Sequence, residues 1–199
     1  MSVRKKFSDP IKRALTALAA GMLAISALAS CEAPDPSSRA DPALAALLVG
    51  LRMAEDPVAA QAAEAQIWAL WTNSGSATVD LLLERAASAD SAGDRGLARE
   101  FLVQASELAP DFAEPWRRRA SLAYEDQDYA TAIRAIEETL KREPQHFAAY
   151  AGLAAIYEEM GQEAAALAAY RAALEIHPHL VSARQGAQRL SARLTGEEA

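Results

Sequence analysis

The pattern of apolar and small residues between residues 110 and 178 repeats at a fixed interval. Pro110, Pro144 and Pro178 are evenly spaced along the chain. The same spacing joins four further pairs: Trp116 with Tyr150, Ala120 with Ala154, Ala132 with Ala166, and Leu140 with Leu174. A repeat of this length is typical of stacked helix pairs.

Each block is expected to hold two helices, which in the middle block run from about residue 114 to 125 and from about 129 to 141. Small residues such as Ala120 and Ala132 are expected where two helix backbones come close, and Trp116 is expected in the core around them. The chain is 51% hydrophobic but only 6% aromatic, and strand signals are almost absent. These features predict an all-α fold.

The block from residue 147 to 180 resembles the tetratricopeptide repeat family. Its matching residues are Tyr150, Leu153, Ala154, Tyr157, Gly161, Ala166, Tyr170, Ala173 and Pro178. The block 113–146 departs at three usual positions, with Arg119 for leucine, Gln127 for the turn glycine and Thr139 for alanine. The block 79–112 keeps the spacing but has Ala89 at the usual tyrosine position. The resemblance implies a helix-turn-helix solenoid with three repeats in residues 76–180.

Two further helices are predicted in residues 42–75, before the repeats. Asp41-Pro42 and Asp56-Pro57 both place an N-cap residue before a proline at the first helical position. We interpret this segment as a helical hairpin that is either a divergent repeat or a cap. Trp68 and Trp71, which lie on one face of the second helix, are expected to pack against the first repeat, and the alternative is that they form a recognition surface.

Residues 181–199 are predicted to form a final helix and a short tail. The apolar stripe of this helix is Ala183, Ala187, Leu190 and Leu194, whereas Arg184, Arg189 and Arg193 are expected to face water. A solenoid leaves one apolar face of its last repeat bare, and a terminal helix with a polar outer side covers such a face. We therefore interpret the segment as a C-terminal capping helix.

The segment 1–30 has the features of a signal peptide. A basic segment ends at Arg13 and is followed by an uncharged apolar run from Ala14 to Ala29. The segment 31–41, which is rich in proline, serine and aspartate, is predicted to be a flexible linker. The chain is therefore expected to be exported to the periplasm of a bacterium.

Cys31, the single cysteine of the chain, follows directly after this apolar run. The sequence Leu28-Ala29-Ser30-Cys31 resembles the bacterial lipobox, which implies that Cys31 is lipidated and anchors the protein to a membrane. A lipid anchor also explains an unpaired cysteine in an oxidising compartment. The alternative is ordinary cleavage after Ala29, which leaves a free thiol.

The sequence offers little for catalysis. Phosphate-binding loops, nucleophile elbows and the usual metal-binding motifs are missing. His146, His177 and His179 fall in turns between repeats and are expected to be solvated, so we predict no metal and no cofactor. A net charge of −7 argues against a nucleic-acid partner. These observations indicate a protein that is not an enzyme.

The resemblance implies a concave groove lined by the first helix of each repeat. Its expected partner-binding residues are Arg117, Ser121, Tyr124, Glu125, Ala151, Ala155, Glu158 and Glu159. The chaperone-binding members of the family hold a carboxylate with lysine and asparagine at such positions. Here Ser121, Ala151 and Ala155 take those places, so we predict no carboxylate clamp. The acidic residues of the groove favour a basic or neutral partner segment.

The sequence therefore predicts a non-catalytic scaffold of the bacterial envelope that binds a protein or peptide partner in this groove. Two other functions remain open. The protein is either a structural or assembly lipoprotein that self-associates or supports an outer-membrane or cell-wall machine, or a regulator that presents or controls a cell-wall enzyme.

Overall fold

The computed structural model describes residues 41–196, and in this range the backbone forms nine α-helices and no strand. The helices are α1 (Pro42–Arg52), α2 (Pro57–Thr72), α3 (Ala77–Ser91), α4 (Arg95–Leu108), α5 (Glu114–Glu125), α6 (Tyr129–Arg142), α7 (Phe147–Glu159), α8 (Glu163–Ile176) and α9 (Val181–Thr195). The predicted all-α architecture is confirmed. The signal peptide, Cys31 and most of the linker lie outside the described residues.

From α3 to α9, each helix packs against the next one in the chain, which is the arrangement of a helical solenoid. The alanines that recur once in every repeat lie at the closest helix contacts. Ala98, Ala132 and Ala166 are all 0% exposed, because each lies where the second helix of a repeat meets its neighbours. Alanine at these positions therefore acts as a spacer between backbones. None of the described helices combines the length and apolar composition that a membrane span requires.

The turn between the two helices of each repeat has a left-handed residue at the same place. Gly93, Gln127 and Gly161, which occupy equivalent positions in the three repeats, have φ angles of 81°, 59° and 68°. Glycine adopts this conformation without steric cost, whereas glutamine does not. The second repeat therefore keeps the turn geometry of the others with a less suitable residue.

The N-terminal hairpin does not pack where the sequence indicated. Trp71 is 6% exposed, but it belongs to a core cluster with Phe147 of α7 and Ile176 of α8. The prediction that Trp68 and Trp71 pack against the first repeat is therefore wrong. Although the hairpin directly precedes α3 in the chain, it folds back onto the third repeat instead.

This contact also explains why the expectation of solvated histidines is wrong. His146 and His177 are 1% and 2% exposed, because α2 covers the turns in which they lie. The ring of His146 stacks on Trp71 with centroids 4.0 Å apart, and His177 Nε2 lies 3.2 Å from a carboxylate oxygen of Glu64. His179 is half-buried, and its Nε2 lies 2.9 Å from the carbonyl oxygen of Ala54. The histidines are thus part of the interface between the hairpin and the repeats.

Two expectations about large side chains also need correction. Trp116 is only half-buried, and its ring is flanked by the guanidinium groups of Arg119 and Arg142 at 4.4 and 4.5 Å from the centroid. In α9, Leu190 is fully buried as expected, but Leu194 is 48% exposed. Trp116 is therefore a partly polar contact rather than a simple core residue.

The last helix packs closely on α8. Gly186 is buried, and a Cβ atom at this position would lie 2.4 Å from the Tyr170 ring, so only glycine allows this approach. Arg189 and Arg193 do not simply face water, because they form ion pairs with Glu158 and Glu163. The helix therefore contacts the third repeat through both apolar and charged groups.

Candidate functional site

The first helices of the second and third repeats enclose a pocket of about 120 Å³. It is lined by Arg117, Ala120, Ser121 and Tyr124 of α5, Ile136 of α6, and Ala148, Ala149, Gly152, Ala155 and Ile156 of α7. Four residues predicted from the sequence to bind a partner are thus brought together here: Arg117, Ser121, Tyr124 and Ala155. Their role in binding stays a prediction.

The floor of this pocket is apolar because α7 presents small residues to it. Gly152 has only the Ile136 side chain nearby, at 3.8 Å from an added Cβ, so the helix surface is open at this point. Ala155 lies one turn further along the same face. A pocket with such a floor suits an apolar side chain of a ligand, while Ser121 and Tyr124 supply polar groups at its wall.

Arg117 is held in place by a buried carboxylate. Glu114 is 1% exposed, and its oxygens accept hydrogen bonds from Arg117 Nε at 2.6 Å and from Arg118 Nε at 2.6 Å. Burial alone would raise the pKa of Glu114, but the hydrogen bonds and charges of the two arginines lower it below its usual value. Glu114 is therefore ionised and fixes the direction of Arg117.

The N-terminal hairpin reaches the same end of the pocket. The Arg117 guanidinium lies 5.4 Å from the centroid of the Trp68 ring, which is within the range of a cation–π contact. Trp68 Nε1 in turn donates to Glu64 at 3.3 Å. A helix outside the repeats therefore contacts Arg117, which lines the candidate site.

Glu158, another residue predicted to bind a partner, does not line the pocket and is paired within the chain. Glu158 accepts from Tyr170 at 2.7 Å and from Arg189 at 2.8 Å. Burial opposes ionisation of Glu158, yet these partners lower its pKa, and burial together with Glu158 raises the pKa of Tyr170 to about 12. Glu158 is thus a structural carboxylate that joins α7, α8 and α9.

The remaining predicted residues have different surroundings. Glu125 forms an ion pair with Arg95 at 2.8 Å, and Ala151 packs with the core cluster around Tyr170. Glu159 is exposed at the end of α7 and has no ion pair with any described residue. Burial and the charge of Glu159 raise the pKa of Tyr124, which indicates that the two side chains are neighbours. Glu159 therefore contributes an exposed negative charge to this end of the groove.

A second, more open pocket lies on the other side of Arg117 and Ser121. It has a volume of about 190 Å³ and is lined by residues of α3, α4 and α5, including Ala87 and Asp90. Two pockets therefore flank the exposed ridge of α5. A segment that crosses this ridge would meet a binding pocket on each side.

The described part of the chain offers no cluster of three or more histidine, cysteine or acidic side chains that would hold a metal ion. At the hairpin interface, His177 and His179 make separate contacts with Glu64 and Ala54. This arrangement holds two elements together rather than a ligand.

Comparison with known proteins identifies the family. A family model described as tetratricopeptide repeat matches residues 123–190. A TPR repeat-containing protein of Rhizobium etli is 36% identical over 146 residues, which amount to 73% of this chain and 72% of the relative. The chain therefore belongs to the tetratricopeptide repeat proteins.

Solved structures share the fold. The first TPR domain of Spaghetti (RPAP3), bound to the HSP90 peptide SRMEEVD, aligns with a TM-score of 0.55 and 18% identity over 59% of this chain and 94% of that domain. A crystal structure of MamA aligns with a TM-score of 0.54 and 24% identity over 60% of this chain and 69% of MamA. An O-GlcNAc transferase of Thermobaculum terrenum aligns with a TM-score of 0.52 and 23% identity, over 57% of this chain but only 22% of the enzyme. At these identities the likeness shows the fold alone.

Members of this family are generally interaction modules without catalytic activity, although enzymes such as that transferase also carry the repeats. Sequence reasoning missed two contributors to the site. The contact of Trp68 with Arg117 was missed because a contact between residues far apart in the chain leaves no periodic signal. Gly152 was missed because the family pattern does not mark it, although a glycine inside a predicted helix is a signal of close approach or open space.

Proposed function

We propose that this protein is a non-catalytic scaffold that binds a segment of a protein partner in the groove over α5 and α7. The observation that carries the proposal is the convergence of Arg117, Ser121, Tyr124 and Ala155 on one pocket with an apolar floor. An apolar side chain of the partner occupies the pocket, and its backbone hydrogen-bonds to the polar groups on the wall.

The charges of the groove favour a neutral or basic segment. Arg117 is paired with Glu114, which it shares with Arg118, whereas Glu159 is exposed and has no ion pair among the described residues. A partner with a lysine or arginine next to an apolar residue would complement this pattern. The RPAP3 domain was solved with an acidic HSP90 peptide, but Ser121, Ala151 and Ala155 lack the positive charge that an acidic ligand needs.

The direct test is to fill the pocket. Ala155→Leu enlarges the side chain at the floor without replacing a core residue, since Ala155 is half-buried. In affinity capture from a cell-envelope extract, followed by mass spectrometry, we expect this variant to lose a specific partner at least tenfold. The same substitution at Ala168, which is exposed on α8, serves as the matched control and should retain that partner.

Both variants should unfold within a few degrees of the wild type, which separates lost binding from lost structure. Arg117 is a poor choice for this test because its removal leaves the buried Glu114 with one fewer partner and should reduce stability. If Ala155→Leu captures the same proteins as the wild type and Ala168→Leu, the pocket is not the binding site.

We also propose that the protein acts in the bacterial envelope, anchored by a lipid on Cys31. The support is the sequence Leu28-Ala29-Ser30-Cys31 after a basic and apolar leader. A labelled fatty acid should be incorporated into the wild-type protein but not into Cys31→Ser, and the variant should move from the membrane to the soluble fraction. Equal labelling of both proteins would contradict the anchor.

Self-association is the second candidate function, and one surface favours it. Val49, Met53 and Val58 of the hairpin are 59%, 74% and 76% exposed. Exposed apolar groups at one corner are a typical contact between copies of a chain. Sedimentation at increasing concentration should then show a dimer that Met53→Asp abolishes, whereas a constant monomer mass would exclude this function.

A further inference from the structure

A third pocket lies on the face of α5 that is turned away from the groove. Arg119 and Ala123 follow the groove residues Arg117 and Ser121 by two positions, which places them on the opposite side of the helix. The pocket has a volume of about 350 Å³. It is lined by Arg99 and Val103 of α4, Arg119, Ala123 and Asp126, and Asp128 and Thr131 at the start of α6.

The pocket exists because the second repeat lacks two large side chains. In the third repeat, Leu153 and Tyr157 occupy the equivalent positions and pack against the hydrophobic core. The second repeat has Arg119 and Ala123 instead. Alanine in place of tyrosine leaves the volume of the aromatic ring empty. Arginine in place of leucine adds a positive charge to the wall of the resulting pocket.

Arg119 is the arginine of this region that makes no hydrogen bond or ion pair with the described residues. The neighbouring Arg99 pairs with Asp126 at 2.5 Å, and Arg142 donates to Glu138 at 2.7 Å. Arg119, in contrast, forms no hydrogen bond or ion pair with a described residue: it stacks on Trp116, and Glu138 acts on it only through its charge. It is half-buried, and this burial lowers its pKa. A guanidinium in such a place lacks both full hydration and an acceptor.

A second donor next to Arg119 is also unsatisfied. The Nε1 atom of Trp116 is buried and has no hydrogen-bond acceptor in the described part of the chain. The two carboxylates at the pocket are already engaged, because Asp126 pairs with Arg95 and Arg99, and Asp128 accepts from the backbone N–H of Thr131. One unmatched donor, Arg119, thus lines the same pocket as Val103 and Ala123, and the Trp116 ring that stacks on Arg119 can report on changes there.

We propose that this pocket is a second binding site, which takes a carboxylate attached to a short branched aliphatic group. The carboxylate accepts hydrogen bonds from Arg119, and the aliphatic group lies against Val103 and Ala123. Such a ligand is either the C-terminal residue of a protein chain or a free branched carboxylic acid. The site is separate from the groove, and its test does not depend on whether the proposed function is correct.

The test is a titration of the ¹⁵N-labelled protein with three probes, followed by the indole N–H signal of Trp116. The probes are N-acetyl-leucine, isovalerate and N-acetyl-leucinamide, which lacks the carboxylate. We expect saturable shifts with at least one of the two acids and binding at least tenfold weaker with the amide. If N-acetyl-leucine binds more tightly than isovalerate, the site is supported and its ligand is the C-terminal residue of a protein chain. If isovalerate binds more tightly, the site is supported and its ligand is a free carboxylic acid.

Arg119→Leu is the decisive variant, because it restores the residue found at the equivalent position 153 and should fold. It should weaken binding of the acids at least tenfold. Arg171→Leu removes an exposed arginine of α8 and controls for the change in net charge, so it should bind like the wild type. Equal binding of acid and amide, unchanged binding to Arg119→Leu, or no binding of either acid would overturn the proposal.

Discussion

The second and third repeats share one framework but differ in what surrounds them. The third repeat has the large apolar residues of the family, is covered by the N-terminal hairpin on one side, and is covered by α9 on the other. The second repeat lies between the first and third repeats, through contacts of α5 with α4 and of α6 with α7, and it differs from the third repeat at several packing and turn positions. Arg119, Ala123 and Gln127 stand where the third repeat has Leu153, Tyr157 and Gly161.

This difference indicates that stability depends more on the third repeat and binding more on the second. The third repeat contributes to two core clusters that join it to the hairpin and to the last helix, although a pocket of about 380 Å³ lies beside His177 and His179 at this junction. The second repeat forms a wall of each of the three pockets described above, and Arg119 and Ala123, where it departs from the third repeat, line one of them. Departures from a repeat pattern are therefore good places to look for function, whereas agreement with it indicates packing.

The largest effect is expected from Phe147→Ala in the third repeat. Phe147 is 1% exposed and contacts Trp71 and His177 at centroid distances of 5.1 and 5.0 Å. Its removal should lower the free energy of unfolding by about 3 to 5 kcal/mol, as for other buried aromatic residues. Chemical denaturation followed by tryptophan fluorescence measures this loss.

Trp116→Ala provides the comparison in the second repeat. Because the Trp116 ring is only half-buried between two arginines, its removal should cost clearly less than that of Phe147. An equal or larger loss would show that the second repeat carries as much of the stability as the third.

The second largest effect concerns pH and depends on His146. The pKa of His146 is lowered to about 4, mainly by burial. The charge of Arg117 contributes a smaller decrease of this pKa, and the charge of Glu114 acts in the opposite direction. In the unfolded chain its pKa is about 6.5. The neutral ring therefore contributes stability that is fully present above pH 6.5 and is lost as the pH falls towards 4. Linkage sets the upper limit of this loss at roughly 3 kcal/mol.

Unfolding curves measured between pH 7 and pH 4 test this expectation. His146→Asn is the matched variant, since asparagine can also cap α7 but does not titrate in this range. It should be less stable than the wild type at pH 7, because the stack on Trp71 is lost, and less sensitive to pH. Identical pH profiles would show that other groups cause the dependence.

The smallest effect is expected in the turns. Gly161→Ala places a side chain at a φ of 68° and should destabilise the protein by about 1 kcal/mol. Gln127→Gly removes the strain of a non-glycine residue at the equivalent turn of the second repeat. It should stabilise the protein by about 0.5 to 1 kcal/mol. Thermal unfolding of both variants measures the two shifts, and shifts of the same sign would contradict the assignment of strain.

The fold was predictable from the sequence because its contacts are local. Within a repeat, the spacing of Ala120 and Ala132 determines which helix faces meet, and Asp41 and Asp56 mark helix starts through cap bonds to residues two or three positions away. The position of the hairpin was not predictable. It depends on Trp71 meeting Phe147, and such a contact between distant segments has no period in the sequence.

The candidate site was predictable only in part for the same reason. The family pattern placed Arg117, Ser121 and Tyr124 on one face of α5, and the structure has them in one pocket. The pattern could not show that Glu158 is already bound by Arg189, because α9 lies outside the repeats. It also could not show that Arg119 lacks a partner among the described residues, since that depends on the pairing of every neighbouring charge.

The measurement that tests the central claim most directly is site-specific photocrosslinking in living cells. A photoreactive benzoylphenylalanine at position 160, beside Glu159 at the end of α7, replaces an exposed methionine and leaves the proposed groove residues unchanged. We predict a crosslink to one partner from this position, its disappearance when Ala155→Leu fills the pocket, and no such crosslink from position 168. A crosslink that persists in the Ala155→Leu background, or that forms equally from position 168, would contradict binding in this groove.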